Sequence, residues 1–159
     1  MNEYRLEIKW GIIFIIMMLV WMTLENLTGL HDIHIDKHPI YTNLIAIPSI
    51  LIFVLALREK RKKVYGGAMT FKQGFITGLI ITIVVAIFSP LVQYIFSTSI
   101  SPEYFTNAAN YAVENGKMTR EQADKYFNMN NYLVQSFIVA IMMGVITSAL
   151  VALFVRKKA

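Results

Sequence analysis

Residues 73–102 read QGFITGLIITIVVAIFSPLVQYIFSTSISP and contain no charged side chain. A helix of roughly 20 mostly apolar residues crosses a bilayer, so this stretch is long enough to form a membrane span. Three further charge-free runs, at residues 10–24, 39–57 and 128–155, have the same character. The first is short and crosses only if the residues that flank it lie at the interfaces. The sequence therefore predicts an all-α integral membrane protein with four transmembrane helices.

The composition also indicates a membrane protein. The chain has 159 residues, of which 56% are hydrophobic, and its mean hydropathy of +0.52 excludes an ordinary soluble domain. This length suits a single membrane domain over residues 1–159. We expect its spans over about residues 8–27, 39–57, 70–97 and 132–155, with a long outer loop over residues 98–131.

Several classes of chemistry lack the residues that they need. The chain has no cysteine, which excludes disulfides, thiolate catalysis and cysteine-based zinc or iron–sulfur sites. It also lacks a nucleophile motif, a phosphate-binding loop, an HExxH motif and a pair of carboxylates. We therefore expect no enzymatic activity and no cofactor.

Basic residues are concentrated on one side of the predicted spans. If the helices alternate in direction, that side carries 11 basic and 3 acidic residues, whereas the other carries 4 basic and 7 acidic residues. The positive-inside rule then places both termini and the loop over residues 58–72 in the cytoplasm. Because these basic residues lie beside spans, they indicate the lipid bilayer as their partner and argue against nucleic acid.

The long outer loop carries signals for two short helices. Ser101, Pro102 and Glu103 are typical of a helix start, and Gly116 supplies a stop. Thr119 and the residues after it match a capping box that opens a second helix. Such helices are weak alone, so we expect them to lie on the bilayer or across the mouth of the bundle.

A weak internal similarity relates the two halves of the chain. Residues 9–11 read KWG and residues 72–74 read KQG, and each triplet opens an outward helix that is followed by an inward one. Two hairpins of the same orientation would form a parallel repeat. Two matched positions out of three also arise by chance, so the alternative is a bundle without internal duplication.

Small residues recur at every fourth position on the third and fourth helices. In membranes, such spacing lets helix backbones approach closely. We expect the third helix to pack on the fourth within one chain, and the alternative is that one stripe forms the interface of a homo-oligomer. The stripes comprise Gly74, Gly78, Thr82, Ala86 and Pro90 on the third helix, and Ser136, Ala140, Gly144, Ser148 and Ala152 on the fourth.

Polar residues within the spans lie at a common depth. Glu25, Asn43, Gln93 and Gln135 are each a few residues inside the outer end of their own helix, about 5 Å below the interface. If they face inward, one carboxylate and three amides line an outward-open pocket for an ion or a small solute. The alternative is that each side chain satisfies a neighbouring backbone group or reaches the lipid headgroups.

The first outer loop contains three histidines. His31, His34 and His38 follow a helical spacing, but Pro39 disfavours helical geometry in the residue before it. We therefore predict no metal site here. A more modest role is that His38 or His31 pairs with Glu25 at the outer mouth and titrates near neutral pH.

Several segments of the chain carry a family resemblance. They include WMTLE at 21–25, HPIYTNLIAIP at 38–48, MTFKQGF at 69–75 and SPEYF at 101–105. Through them the chain resembles the domain-of-unknown-function family 4199, small bacterial membrane proteins found mainly in Bacteroidota, over almost its whole length. The resemblance implies an inner-membrane protein with about four spans, and it implies no activity, cofactor or substrate. Glu25, His38 and Gly74 belong to both the resemblance and the physical argument.

These observations favour a non-enzymatic structural or accessory component of the membrane, with assembly into a homo-oligomer as an open alternative to a monomer. A transport pathway for an ion or small solute through the layer around Glu25 is the alternative. A lipid-dependent or metal-dependent membrane enzyme is the third option.

Overall fold

The computed structural model describes residues 4–157 and contains α-helices, with no strand in that range. A 3₁₀ turn over Thr42–Ile45 joins the second helix to the third, and a π-helical turn over Phe96–Ile100 extends the fourth. The helices are α1 (Arg5–Leu27), α2 (His38–Tyr41), α3 (Ala46–Lys63), α4 (Phe71–Ile95), α5 (Tyr104–Glu114), α6 (Arg120–Tyr126) and α7 (Met129–Val155).

Four helical segments are long and apolar enough to cross a bilayer. They comprise Arg5–Leu27, His38–Lys63, Phe71–Ile100 and Met129–Val155. The predicted fold class is confirmed: the chain is an all-α, multi-pass membrane protein. The two short helices expected in the second loop are also present as α5 and α6, and α6 opens with the predicted capping box between Thr119 and Gln122.

The helices differ from the predicted spans mainly at their ends. The second span was expected to stop at residue 57, but α3 continues to Lys63. Basic side chains stabilise the last turn of a helix, where the free carbonyl groups are partially negative, and Glu59 adds an ion pair with Lys63 at 2.8 Å. The last span begins earlier than expected, at Met129, because the side chain of Asn128 accepts a hydrogen bond from the N–H of Asn131.

The bundle has two distinct ends. At the terminal end, the backbones of Met69 and Lys157 exchange two hydrogen bonds of 2.9 Å, and the guanidinium of Arg61 donates to the carbonyl of Val155 at 2.6 Å. The loop end lies at the opposite end of the bundle and contains the segments over residues 25–43 and 96–132. Two of the charged residues counted on the predicted basic side, the acidic Glu3 and the basic Lys158, lie outside the described residues.

The most extensive contact between helices joins α4 to α7. A Cβ atom built on Gly78 would lie 2.5 Å from Oγ of Ser148, and one built on Gly144 would lie 2.5 Å from Oγ1 of Thr82. A Cβ atom on Gly74 would lie 3.2 Å from Cβ of Ala152. The small-residue stripes of the two helices therefore face each other within the chain at these positions.

An apolar cluster occupies the part of the bundle next to the terminal end. It extends along α3, α4 and α7 from the terminal end to mid-depth. Phe14 of α1 packs against it and meets Phe53 edge-to-face, with ring centroids 5.8 Å apart. The buried members are Phe53, Ala56, Leu57, Met69, Ile81, Val85, Val151, Ala152 and Val155.

A buried ion pair lies at the terminal end of the bundle. The ammonium of Lys60 is 2.7 Å from a carboxylate oxygen of Glu7, and both side chains are almost entirely covered by the protein. The sequence indicated the lipid bilayer as the partner of the basic residues beside the spans, and the structure corrects this for Lys60, which pairs with Glu7 inside the protein. The lysine lies one helical turn from the buried Ala56 and Leu57, so it shares their inward face.

Candidate functional site

Glu25 is buried near the end of α1, at the loop end of the bundle, with 5% of its surface exposed. The indole N–H of Trp21 donates a hydrogen bond of 2.7 Å to its Oε1 atom. Residues four apart lie on the same face of a helix, which explains why Trp21 reaches the carboxylate. The side chain of Thr42, from the 3₁₀ turn, also approaches this carboxylate.

Two histidines face the other oxygen of Glu25. The Nε2 atom of His31 lies 3.6 Å from Oε2 of Glu25, and the Nε2 atom of His38 lies 3.9 Å from it. One nitrogen or oxygen atom from each of the three residues lies within 4.8 Å of the other two. We call this group the Glu25–His31–His38 cluster.

The loop after α1 turns His31 back toward Glu25. Gly29 has a φ of +78°, a backbone conformation that residues other than glycine rarely adopt. The N–H of Leu30 then donates to the carbonyl of Glu25 at 3.0 Å, and the N–H of His34 donates to the carbonyl of Gly29 at 2.8 Å. These bonds reverse the chain within a few residues of α1 and place the imidazole of His31 beside the carboxylate.

Contacts from distant segments hold this loop in place. The side-chain amide of Asn107, on α5, donates to the carbonyl of His31 at 3.0 Å. The side-chain amide of Asn26 donates to the carbonyl of Ile100, at the end of the π-helical turn, at 2.9 Å. Segments far apart in sequence therefore converge on the cluster, as is typical of a binding site built on a rigid scaffold.

Aromatic rings enclose the two imidazoles. The ring of His31 meets those of Phe96 and Tyr104 edge-to-face, with centroids 5.0 and 5.1 Å away, and that of His38 at 5.3 Å. Tyr104, on α5, is itself buried. Burial raises the pKa of the Tyr104 phenol, and the negative charge of Glu25 raises it further. The phenol therefore stays neutral over the physiological pH range and covers the cluster as an uncharged ring.

The imidazole of His31 has unmet hydrogen-bonding capacity. Only 1% of this residue is exposed, and neither ring nitrogen has a hydrogen-bond partner among residues 4–157. The 3.6 Å separation from Glu25 is too long for a hydrogen bond. Leaving a buried polar group unsatisfied costs about 1–3 kcal/mol, so a ligand that bonds to this imidazole would recover that free energy.

Not all of the predicted site residues meet at this place. Glu25 and His38 are together, but Asn43 is exposed and donates to the carbonyl of Pro39 at 2.7 Å. Gln93 is buried and donates to the hydroxyl of Ser97 at 3.0 Å. Gln135 is half-buried on α7. Within the described range, the polar partners of Glu25 are Trp21, Thr42, His31 and His38 rather than the three amides.

Three contributors to the site were missed by sequence reasoning. Trp21 was detectable, because its spacing of four residues from Glu25 places both on one helix face. Thr42 was passed over for its neighbour Asn43, since depth in the membrane does not reveal which residue faces inward. Tyr104 comes from a segment far away in sequence, and no local pattern connects it with the histidines.

These features define the class of protein: a four-span, α-helical membrane protein with a buried carboxylate–histidine cluster at one end. A family model described as protein of unknown function (DUF4199) matches residues 9–157, nearly the whole chain. The chain belongs to this family, as its sequence resemblance implied. Neither a curated protein nor a solved structure matches it.

Proposed function

We propose that this chain is a non-enzymatic accessory component of the bacterial inner membrane that binds a ligand at the Glu25–His31–His38 cluster and does not conduct it. The observation that carries the proposal is the construction of the cluster. Its side chains come from α1, the following loop and the start of the second span, and α5 covers them. A carboxylate and two imidazoles enclosed in this way suit binding of a small cation.

The centre of the bundle supports binding over conduction. The apolar cluster of α3, α4 and α7 separates the loop end from the buried Glu7–Lys60 pair at the terminal end. Its members Leu57 and Ile81 have no exposed surface. An ion would have to shed its hydration in an apolar environment to pass this region, which is energetically costly.

The second candidate function is a pathway for an ion or small solute. It is favoured by the buried polar side chains of α4, which include Thr82, Ser89 and Gln93. However, the hydroxyls of Thr82 and Ser89 donate to carbonyls one turn earlier in their own helix, at 3.0 and 2.8 Å. These groups are already satisfied and do not need water or an ion as a partner.

Vesicles that contain the purified protein distinguish the two functions. We expect their permeability to protons, sodium and potassium to equal that of protein-free vesicles, because the apolar centre excludes ions. We also expect their phospholipids to remain unchanged by mass spectrometry, as a non-enzymatic role requires. Ion flux that Glu25→Gln abolishes, and that the exposed control Asp32→Asn retains, would establish the pathway instead.

We propose in addition that the terminal end faces the cytoplasm, because most basic residues lie there. The chain has no native cysteine, so single cysteines report topology cleanly. In intact cells, an impermeant thiol reagent should label Lys117→Cys and leave Lys62→Cys unlabelled until the membrane is opened. Both positions are exposed at the protein surface. The reverse labelling pattern would invert the topology.

A further inference from the structure

We propose that the Glu25–His31–His38 cluster binds one divalent transition-metal ion of the zinc class. The ligands are Oε2 of Glu25 and one imidazole nitrogen from each histidine. This inference rests on the proposed function, since it names the ligand of the same site. It departs from the sequence, where the proline after His38 argued against a metal site built on helical spacing.

The distances between the ligand atoms suit such an ion. Zinc ligands at about 2.0–2.2 Å in tetrahedral geometry lie about 3.4 Å from one another. In the cluster, Oε2 of Glu25 is 3.6 Å from His31 and 3.9 Å from His38, and all three ligand atoms lie within 4.8 Å of one another. Small rotations of the side chains are enough to bring three ligands around one ion.

The unsatisfied imidazole of His31 is the second observation. This side chain is buried, and no hydrogen bond from residues 4–157 reaches either of its ring nitrogens. A metal ion on Nε2 would supply the missing partner of that nitrogen. Coordination by neutral imidazole also avoids burying a protonated histidine among the rings of Phe96 and Tyr104.

The hydrogen bonds of Glu25 orient its carboxylate for this role. Trp21 donates to Oε1, which leaves Oε2 directed at the two histidines. Groups that bond to a metal ligand in this way typically raise metal affinity 10–100-fold. Trp21 is therefore a positioning residue rather than a ligand.

The chemical nature of the ligands selects the class of ion. Two imidazole nitrogens and one carboxylate oxygen suit zinc and its transition-metal neighbours iron(II), cobalt, nickel and copper, whereas magnesium and calcium prefer oxygen ligands throughout. Three protein ligands leave one position open for water or another small ligand. His38 keeps 18% of its side chain exposed while Glu25 and His31 are covered, so the ion enters beside His38.

Metal binding to the full-length protein in detergent tests the inference. We expect about one zinc or cobalt ion per chain by elemental analysis, and imidazole ligands in the X-ray absorption spectrum. His31→Gln and His38→Gln should each lower the affinity by more than about 100-fold, beyond the effect of an orienting group. Trp21→Phe should lower it by about 10–100-fold. His34→Gln, in the same loop but outside the cluster, should leave it unchanged.

Two further measurements on folded protein decide the test if a cluster variant fails to fold. Zinc should raise the melting temperature of the wild type and of His34→Gln, because it binds the folded state. If a cluster variant does not fold, the absorption spectrum of the loaded wild type decides, and a spectrum without imidazole ligands overturns the inference. Equal loss of affinity in His34→Gln would also overturn it, because binding would then not depend on the cluster.

Failure of this inference and failure of the proposed function have different signatures. If the wild type binds no metal and its vesicles stay impermeable, the metal assignment falls while a non-conducting accessory role stands. If the wild type binds zinc at the cluster and carries zinc across vesicles, the metal site stands. The non-conducting role is then wrong.

Discussion

Gly78→Leu is expected to destabilise the protein by about 3 kcal/mol or more, because the bundle has no room for a side chain at this position. A Cβ atom there would lie 3.1 Å from the Cα atom of Ser148 and still closer to its side chain. Backbone cannot move aside as a flexible side chain does, so α4 and α7 would have to separate. Helices in a membrane associate through close packing, and separation removes that stabilisation.

Thermal unfolding in detergent measures this effect. Gly144→Leu, which meets Thr82 across the same interface, should give a comparable loss. The matched control is Ile83→Leu, since Ile83 lies on α4 with more than half of its surface exposed, and its volume is conserved. A melting temperature unchanged by either glycine substitution would show that α4 and α7 do not pack as described.

Lys60→Met is expected to destabilise the protein by about 3–5 kcal/mol, because it leaves the buried carboxylate of Glu7 without its ion-pair partner. Only 1% of the Glu7 side chain is exposed, and its separation from the lysine ammonium is 2.7 Å. An isolated buried charge cannot recover its lost hydration. Replacing both partners, as Glu7→Leu with Lys60→Met, should restore most of the stability, since well-packed apolar side chains substitute for a buried ion pair.

The ion pair of Lys125 and Glu121 is the control for this prediction. These residues form a pair at 2.7 Å on α6, but both side chains are more than three-quarters exposed. Lys125→Met should therefore change the free energy of unfolding by no more than about 0.5 kcal/mol. If Lys60→Met is equally mild, water reaches Glu7 and the pair is not buried in the membrane-embedded protein.

The loop end and the terminal end place their charged groups differently. At the terminal end, a lysine neutralises the buried carboxylate directly. At the loop end, Glu25 faces two histidines at distances too long for hydrogen bonds. In the first arrangement an ammonium 2.7 Å away balances the charge of the carboxylate, although Oε2 of Glu7 has no hydrogen-bond partner within residues 4–157. In the second, two imidazoles face the carboxylate without a direct hydrogen bond, which suits a ligand between them. This contrast is why we assign a binding role to the cluster and a stabilising role to the pair.

The sequence by itself determined the number of spans and most of the local signals. Crossing a bilayer depends on consecutive apolar residues, and a run of sufficient length shows this directly. The capping box of Thr119 and the helix stop at Gly116 were readable for the same reason, since each depends on neighbours within a few positions. The depth of Glu25 followed from its position along α1.

The tertiary structure decided which side chains meet. Each residue along a helix turns by about 100°, so Thr42 and not Asn43 reaches Glu25 although both lie at a similar depth. Tyr104 joins the histidines only because α5 folds over the loop end. The depth of a residue along its helix depends on the local sequence. Which residue it faces depends on the relative rotation and packing of helices far apart in the chain. The candidate site is therefore a product of packing, and the spans that carry it are a product of the sequence.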